Sequence, residues 1–365
     1  MDRTDVPASV ITMFKQYDFI WNNNITTYKN KHNNKCINEF EIQCKIDEGA
    51  VWKVYYVKRY FYNDNKEIQT KPYALKKTHI LTQSKHRYYK NDECISYLDE
   101  VYNEIHILGI LGSSSQCEYV IQLYELLFDI DNKHPYIYLI NDYCDIGPIM
   151  NRDQIEFNHF HNPKLIKHFL KDKIDLQYDS SDNNLIAKHS VDITLKHSIA
   201  KVIFKQILLG LQHIHSKRIS HRDIKMENIL FTTTNNTEHD GVVKIIDFSI
   251  STIIPNNVKE INEPGGSMHY QAPEMFDYDK KGYYDPFKID YWAVGVCLYI
   301  FIFEQFPFDD ESELALQMKI SNNKLEMPFS PMNTEYEEVL NALLEKDPNK
   351  RICDVDKLLN MNYFI

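Results

Sequence analysis

The chain has 365 residues, of which 43% are hydrophobic and 25% are charged, a composition that predicts a folded protein with a sizeable core. Its 41 lysines and arginines stand against 52 aspartates and glutamates, a formal net charge of −11. A chain this acidic is a poor candidate for a nucleic-acid-binding protein, and basic protein substrates or divalent cations suit it better.

The seven cysteines are odd in number and show no C-x-x-C spacing, so we predict reduced intracellular thiols rather than a disulfide framework or a zinc site. The N-terminus lacks the apolar segment of a secretion signal, and the longest apolar run, residues 292–303, is too short to span a bilayer. We therefore expect a protein of the cytoplasm, with the nucleus as a second compartment, and no membrane partner.

The first part of the chain reads as strands around one helix. Residues 1–37 are polar and Asn-rich without periodicity, and we predict an extension before the domain. β-branched and aromatic residues alternate through 40–59, and apolar residues at helical spacing cover 92–111, with Asp92 as N-cap and Gly112 as terminator. Further strands are predicted at 73–76, 119–130 and 135–143.

The second part reads as mainly helical. Residues 151–192 are rich in Asn, Asp, His and Lys, and we predict an insertion with one or two short helices. The strongly periodic segments that follow are Leu195–His215, Asp290–Phe303, Glu311–Ile320, Glu335–Leu344 and Val355–Met361. The expected fold class is therefore α+β, with a small antiparallel sheet and one helix first and a mainly α-helical part second.

The strongest chemical signal is the segment 221–228, which reads HRDIKMEN. It matches every fixed position of H-R-D-x-K-x-x-N and so resembles the catalytic loop of the eukaryotic serine/threonine protein kinases. In phosphoryl transfer, positioning and charge stabilisation do most of the catalysis. On this resemblance Asp223 would accept the proton of the substrate hydroxyl, Lys225 would neutralise the γ-phosphate of ATP, and Asn228 would hold Mg²⁺.

Residues 244–249, KIIDFS, place an aspartate after an apolar strand, where the same family carries its D-F-G motif. Asp247, the expected magnesium ligand, is intact. Ser249 replaces the glycine and removes its wide range of backbone angles, which predicts altered switching of this loop rather than lost catalysis.

Residues 73–76, YALK, match the strand motif V-A-I-K, and Glu104 lies on the single helix predicted in the first part. Either charge alone is most simply a solvated surface group. Their order and spacing relative to the catalytic loop predict instead a Lys76–Glu104 ion pair that holds the α and β phosphates.

The weakest match is the phosphate-covering loop within residues 46–54, IDEGAVWKV, which keeps only the middle glycine of G-x-G-x-x-G-x-V. Asp47 and Trp52 occupy the other two glycine positions, so we expect a stiffer loop and a weaker grip on nucleotide. This segment is the best argument for an alternative function, a pseudokinase scaffold or a nucleotide-binding regulatory module.

Residues 266–274, GSMHYQAPE, resemble the end of a kinase activation segment. Ser267 stands in the place of the family's threonine, and its hydroxyl can bridge Asp223 and Lys225. Asp290 is expected to anchor the backbone of the catalytic loop.

Two further charge pairs are expected around this segment. Glu274 should pair with Arg351 in an architectural contact. Glu263, nine residues before Ala272, occupies the position that is usually phosphorylated, and it can offer a permanent negative charge to Arg222. The hypothesis is that no activating phosphorylation is needed, and the alternative is an exposed glutamate that touches nothing.

The ordered motifs together resemble the eukaryotic protein kinases over about 40–364. The resemblance implies a bilobal fold that binds ATP and Mg²⁺ in the cleft between its lobes. The implied organisation is an extension at 1–37, an N-lobe at 38–140, and a hinge and C-lobe at 141–365.

The resemblance also implies the residues that contact the nucleotide. Asp142 and Cys144 would offer backbone groups to adenine, and Asn141 would be an unusual polar gatekeeper. The other implied contacts are Ile46, Gly49, Val54, Ala74, Lys76, Asn228, Leu230 and Asp247.

Residues 145–150, DIGPIM, look like the G-P-V-M segment of the calcium/calmodulin-dependent protein kinase kinases and of the yeast-type kinases that activate the AMP-activated kinase family. This likeness implies that the protein substrate is the activation-loop threonine of another kinase. No basic amphipathic segment follows the domain before Ile365, so calmodulin is not expected as a partner. A third function, a nucleic-acid or structural module, has only the basic patch at 85–90 in its favour, and that patch is more simply a solvated or docking face.

Overall fold

The computed structural model describes the following residues: 20–22, 25–30, 32–63, 66–90, 93–113, 117–129, 135–150, 162–170, 193–233, 241–263, 265–277, 282–328 and 335–365. The chain divides into two compact units, Met1–Cys117 with Ile121–Cys144, and Glu118–Val120 with Asp145–Ile365. The sequence placed this division after residue 140.

The division lies after residue 144 because the residues that follow position 140 are still bound to the first unit. Asn141 is the last paired residue of its strand, opposite Ala74. The carboxylate of Asp142 accepts hydrogen bonds from the backbone amide of Gln122 at 2.9 Å and from the hydroxyl of Tyr124 at 2.7 Å. The segment therefore leaves the first unit only after these bonds are made.

The alternating apolar residues of the first unit form an eight-stranded sheet in the order β1-β9-β10-β6-β5-β4-β3-β2. All neighbouring strands are antiparallel except β1 and β9, which are parallel. A separate hairpin pairs β7 with β8. The strands are β1 (Ile20–Asn22), β2 (Thr27–Lys29), β3 (Lys35–Ile37), β4 (Phe40–Glu48), β5 (Lys53–Tyr62), β6 (Ile68–His79), β7 (Arg87–Lys90), β8 (Glu93–Ser96), β9 (Leu123–Asp129) and β10 (Tyr136–Asn141). The core on this sheet is made by Ile37, Phe40, Val57, Tyr73, Leu75, Leu127, Tyr138 and Ile140.

The described part of the predicted extension, residues 1–37, adds strands to the sheet. Strands β2 and β3 pair with each other and extend the sheet beyond β4. Ile37 pairs with Phe40, and both side chains are fully buried. The burial of these apolar residues, rather than any local periodicity, gives the segment its structure.

Within its described residues, the first unit has two helices, α1 (Ile80–Gln83) and α2 (Tyr97–Gly112). Helix α2 begins five residues after the predicted cap, Asp92, which lies outside the described residues. The cap is Ser96, whose hydroxyl accepts from the backbone amide of Asp99 while the Asp99 carboxylate accepts from the Ser96 backbone amide.

The second unit contains short strands and most of the helices. Its strands are β11 (Gly147–Pro148), β12 (Ile219–Ser220), β13 (Ile229–Thr232), β14 (Val242–Ile245) and β15 (Thr252–Ile253). Its α-helices are α3 (Pro163–Leu170), α4 (Ile193–Ser216), α5 (Pro286–Phe303), α6 (Glu313–Asn322), α7 (Glu335–Leu343) and α8 (Val355–Leu359). Single 3-10 turns cover Met226–Asn228, Met268–Tyr270, Pro273–Phe276 and Asn362–Phe364. Helix α3 lies in the predicted insertion, and apart from Asn162 the other positions within 151–192 are outside the described residues.

Helix α5 is longer than the apolar run that the sequence singled out. It starts at Pro286 because Asp285 accepts a hydrogen bond from the backbone amide of Phe287 at 3.0 Å, and proline favours the first helical position. The 18 residues have a mean hydropathy of 1.4, enough by length and composition alone to cross a membrane. However, 83% of this helix is buried inside the protein, which is the behaviour of a core helix.

Candidate active site

Lys76 and Glu104 form an ion pair inside the first unit, as the spacing of their motifs predicts. Lys76 lies on β6 between Val54 of β5 and Leu139 of β10, so its backbone is fixed from both sides. Glu104 lies on the buried face of α2 and is only 2% exposed. A carboxylate this deeply buried needs a charged partner, and the lysine ammonium supplies one.

The turn between β4 and β5 closes on the same pair. The backbone amide of Gly49 donates to the carbonyl of Trp52 at 2.9 Å, which makes the turn tight. The indole nitrogen of Trp52 donates to Glu104 Oε2 at 2.9 Å, and the Lys76 ammonium lies 5.0 Å from the centre of the indole ring. The sequence predicted a stiff loop here but missed this contact, because no motif places an indole at a glycine position.

The side chains of β6 and α1 hold the carbonyls of this turn. The hydroxyl of Thr78 donates to the carbonyl of Val51 at 2.6 Å. The amide of Gln83 donates to the carbonyls of Ala50 and Val51, at 3.3 and 3.2 Å. The turn is therefore fixed to the first unit through both its backbone and its tryptophan.

The other predicted nucleotide contacts of the first unit lie along β4, β6 and the end of β10. Ala74 is two residues before Lys76 on β6, so both side chains point to the same face of the sheet. Ile46 is 46% exposed on β4, next to the tight turn that contains Gly49. The side chain of Cys144 is buried.

Asn141 and Asp142 follow each other at the end of β10. Asn141 is 3% exposed, and its amide oxygen has no hydrogen-bond partner within the described part of the chain. The backbone amide of Asp142 already donates to the carbonyl of Gln122 at 3.2 Å. The backbone carbonyl of Asp142, rather than its amide, is thus the group that suits the predicted contact with adenine.

In the second unit, Asp290 holds the backbone that carries the HRDIKMEN segment. Its carboxylate accepts from the backbone amides of His221 at 2.9 Å and Arg222 at 2.8 Å, and from the hydroxyl of Ser220 at 3.0 Å. Although burial alone would raise the pKa of Asp290, its hydrogen bond and attraction to His215 lower it below the usual value. A carboxylate that stays ionised fixes this turn, in which Arg222 adopts a left-handed φ of 68°.

Asp223 is surrounded by the three residues that the sequence grouped with it. Lys225 Nζ lies 2.6 Å from Asp223 Oδ2, and the amide of Asn228 donates to Oδ2 at 3.1 Å and to the Asp223 carbonyl at 2.9 Å. The hydroxyl of Ser267 lies 3.1 Å from Asp223 Oδ1 and 3.2 Å from Lys225 Nζ, so it bridges the two charges. Burial alone would lower the pKa of Lys225, but the nearby carboxylates of Asp223, Asp247 and Glu227 raise it. The ammonium therefore stays charged.

Asp247 and Asn228 are joined through the backbone, because the amide of Ile246 donates to the Asn228 carbonyl at 3.0 Å. Asp247 has a left-handed φ of 67°, a sparsely populated conformation for a residue other than glycine. The next residue, Phe248, is fully buried and packs 4.9 Å from the ring of His221. The predicted contact Leu230 is nearby in the same sheet, opposite Lys244.

The oxygens of Asn228 and Asp247 fit Mg²⁺. The nitrogen of the Asn228 amide donates to Asp223, so its oxygen and the Asp247 carboxylate are the groups that suit the metal. Mg²⁺ prefers hard oxygen donors and usually takes one or two from protein, with the rest from phosphates and water. The described residues contain no group of three or more His, Cys, Asp and Glu that could hold a metal by themselves. An Mg²⁺ site with two protein ligands does not require such a group.

Arg222 and Glu263 are in contact. Arg222 Nη1 lies 2.6 Å from Glu263 Oε2, and Nη2 donates to the Glu263 carbonyl at 2.7 Å. Gly266 follows with φ +83°, and a Cβ there would lie 2.6 Å from the carbonyl of Arg222, so only glycine fits this approach. The alternative in which Glu263 touches nothing does not describe this structure.

The predicted pair of Glu274 and Arg351 is also present. Arg351 Nη1 and Nη2 lie 2.5 and 2.9 Å from the two carboxylate oxygens of Glu274, in a bidentate arrangement. Both side chains are buried. The pair joins residues 77 positions apart and supports the segment that follows Ser267.

Comparison with known proteins decides the family. The model of the protein kinase domain family matches residues 40–364. The chain belongs to the protein kinase family. Among its relatives are the serine/threonine-protein kinase ppk34 of Schizosaccharomyces pombe, 34% identical over 156 residues, and the serine/threonine-protein kinase par-4 of Caenorhabditis briggsae, 32% identical over 212 residues. The stk11 homolog of Dictyostelium discoideum, also a serine/threonine-protein kinase, is 31% identical over 199 residues.

These alignments cover 43%, 54% and 52% of this kinase chain, in that order, and 41%, 31% and 32% of the relatives. The kinase chain thus spans less than half the length of the relatives it matches. The family and fold class predicted from the sequence, and the serine/threonine group within that family, are confirmed. The comparisons do not distinguish the calcium/calmodulin-dependent protein kinase kinase-like group.

Proposed function

We propose that this kinase transfers the γ-phosphoryl group of ATP to serine or threonine hydroxyls of a protein substrate. The observation that carries the proposal is the position of Asp223, whose carboxylate is held by Lys225, Asn228 and the Ser267 hydroxyl. A carboxylate fixed in this way can position the substrate hydroxyl and accept its proton.

The residues of the second unit take distinct roles. Asp223 accepts the proton of the substrate hydroxyl, and Lys225, which remains charged, neutralises the transferred phosphoryl group. Asn228 and Asp247 would hold Mg²⁺, which would offset the negative charge of the phosphates. Ser267 keeps the Asp223 carboxylate and the Lys225 ammonium in register.

In the first unit, Lys76 and Glu104 form the ion pair that orients the α and β phosphates. Val54 and Ala74 present apolar surface to the adenine ring, and Asp142 and Cys144 present backbone groups to its edge. These assignments rest on the resemblance to kinases and on the position of each residue within its own unit.

The proposed substrate is the activation-segment threonine of another kinase. The support is the segment 145–150, which resembles that of kinases acting on the AMP-activated kinase family. Asp145, in this segment, accepts hydrogen bonds from the hydroxyls of Thr232 and Thr233 at 3.0 and 2.6 Å, so the segment is fixed to β13.

The first experiment measures phosphate transfer from Mg-ATP by the wild type and by Asp223→Asn, with Asp356→Asn as the control for loss of an exposed carboxylate. We expect Asp223→Asn to lose at least about a hundredfold in rate, because general-base catalysis contributes on that order. Asp356→Asn should keep the wild-type rate. Equal background transfer by the wild type and Asp223→Asn would instead favour a scaffold.

The same assay compares two substrates, a generic basic protein and a catalytically inactive AMP-activated-type kinase domain. Transfer to the activation-segment threonine of the kinase domain should be faster, and replacement of that threonine by alanine should abolish it. Equal rates on both substrates would contradict the proposed substrate class while leaving the kinase activity intact. Thermal stabilisation by a non-hydrolysable ATP analogue with Mg²⁺ separates a nucleotide-binding module from a scaffold that binds none.

A further inference from the structure

The carboxylate of Glu104 has two separate donors, one on each oxygen. Lys76 is paired with Oε1, and the indole of Trp52 donates to Oε2 at 2.9 Å. Trp52 is 8% exposed, so this hydrogen bond is shielded from water. The Lys76 ammonium also lies 5.0 Å from the indole ring, within range of a cation–π interaction.

We propose that Trp52 is a positioning residue that keeps the Lys76–Glu104 pair assembled before nucleotide binds. This proposal rests on the proposed kinase function, in which the pair orients phosphates. Each hydrogen bond that a buried carboxylate accepts stabilises it in an environment of low polarity. The indole N–H supplies such a bond to Oε2, and its ring lies beside the ammonium.

The backbone around Trp52 makes this contact persistent. A glycine at position 52 would make the turn more mobile. In this protein the two residues before Trp52 are also held through their carbonyls, which accept hydrogen bonds from Gln83 and Thr78. Because Thr78 is two residues beyond Lys76 on β6, the strand that carries the lysine also holds the turn that carries the tryptophan. The indole is thus placed by the same strand whose ammonium it covers.

The assembled pair is the part of the site that a movement of helix α2 would disrupt. Glu104 is carried by α2, and Trp52 connects that helix to the turn between β4 and β5. Loss of the indole donor should therefore weaken the hold on the Glu104 carboxylate and loosen α2. Trp52 stands where the family has the third glycine of the loop. It makes the loop less mobile and keeps the Lys76–Glu104 pair assembled before nucleotide binds.

The test measures how fast the Lys76 amine is acetylated by acetic anhydride in the full chain without nucleotide, followed by peptide mass spectrometry. Trp52→Phe keeps an aromatic ring but removes the N–H donor. We expect Lys76 to react about tenfold faster in Trp52→Phe, as for the loss of one charge-assisted hydrogen bond. The exposed Lys53 is the internal reference for the amount of reagent. Its rate of acetylation should be the same in the wild type and in Trp52→Phe.

Tyr124→Phe is the matched control, since it also removes one aromatic donor to a buried carboxylate of the first unit, that of Asp142. It should leave the Lys76 rate unchanged. Amide hydrogen exchange gives a second readout, and Trp52→Phe should speed exchange across Tyr97–Gly112 while β9 and β10 stay protected. Faster exchange throughout the sheet would mean general unfolding and would overturn the assignment of a positioning role.

A double variant separates positioning from simple packing. In a Glu104→Met background the indole has no carboxylate to hold, so adding Trp52→Phe should change the Lys76 rate less than twofold. Independent, multiplicative effects, or an unchanged rate in Trp52→Phe alone, would overturn the proposal. Because no step uses ATP, failure of this test is distinct from failure of the proposed kinase function, which would show as absent phosphate transfer by the wild type.

Discussion

The guanidinium of Arg222 is almost fully buried. It donates hydrogen bonds to acceptors on several segments of the second unit. Besides Glu263, it donates to the carbonyl of Ile250 at 3.1 Å and to the hydroxyl of Thr252 at 2.8 Å. The Glu263 carbonyl also accepts from the hydroxyl of Tyr284 at 2.5 Å. We propose that the Glu263 carboxylate, already bound to this arginine, takes the role that an activating phosphate would otherwise have.

Glu263→Ala should therefore lower the activity of enzyme that has been treated with phosphatase. We expect a loss of about tenfold, or about 1.4 kcal/mol, because the main-chain bond to the Glu263 carbonyl remains and the carboxylate is partly exposed. Glu263→Gln, which keeps an oxygen acceptor but not the charge, should lie between alanine and the wild type. The measurement is the rate of transfer to a protein substrate at saturating Mg-ATP.

Glu260→Ala is the control for this prediction, because it removes an exposed glutamate from the same segment. It should leave the rate unchanged. Phosphatase-treated Glu263→Ala with the rate of the wild type would contradict the idea that Glu263 replaces an activating phosphate.

Helix α2 illustrates which features of an element its own sequence determines. The apolar residues at helical spacing predicted the helix, and three of them, Val101, Ile105 and Leu108, are buried in the structure. Its start was mispredicted because Asp92 and Ser96 are both favourable caps, and local propensity does not choose between them. Residues 93–96 pair with β7 in a hairpin, so the helix begins only after this strand, and Ser96, the last residue of the strand, is its cap.

The turn between β4 and β5 shows the corresponding limit for the site. Asp223, Lys225 and Asn228 lie within one short motif, so the sequence alone predicted that they act together. Trp52 and Glu104 are 52 residues apart, and their hydrogen bond depends on how α2 packs against the sheet. Sequence reasoning therefore found the residues of this motif, and Glu104, but not the indole that donates to Glu104.

At the scale of the whole chain, the sequence predicted the order of the main strands and helices. It did not predict the short strands at the two edges of the large sheet. The parallel pairing of β1 with β9 joins Ile20 to Glu125. Strands of three residues such as β1 carry too little periodicity to be recognised before their partners are known. The protein kinase motifs constrain the parts of the fold that carry them, and β1, β2 and β3 lie outside the region that the family model matches.

The pair of Glu274 and Arg351 makes the stability of the second unit depend on residues far apart in the chain. Arg351→Met should leave the Glu274 carboxylate buried without its partner, at a cost of about 3–5 kcal/mol. For a unit of this size that corresponds to a melting temperature lower by about 10 °C, measured by circular dichroism.

Lys350→Met, which removes an adjacent exposed cation, is the control and should shift the melting temperature by less than about 1 °C. Adding Glu274→Gln to Arg351→Met should recover part of the loss, because the buried charge is then gone. A single variant that melts with the wild type would show that this ion pair does not support the fold.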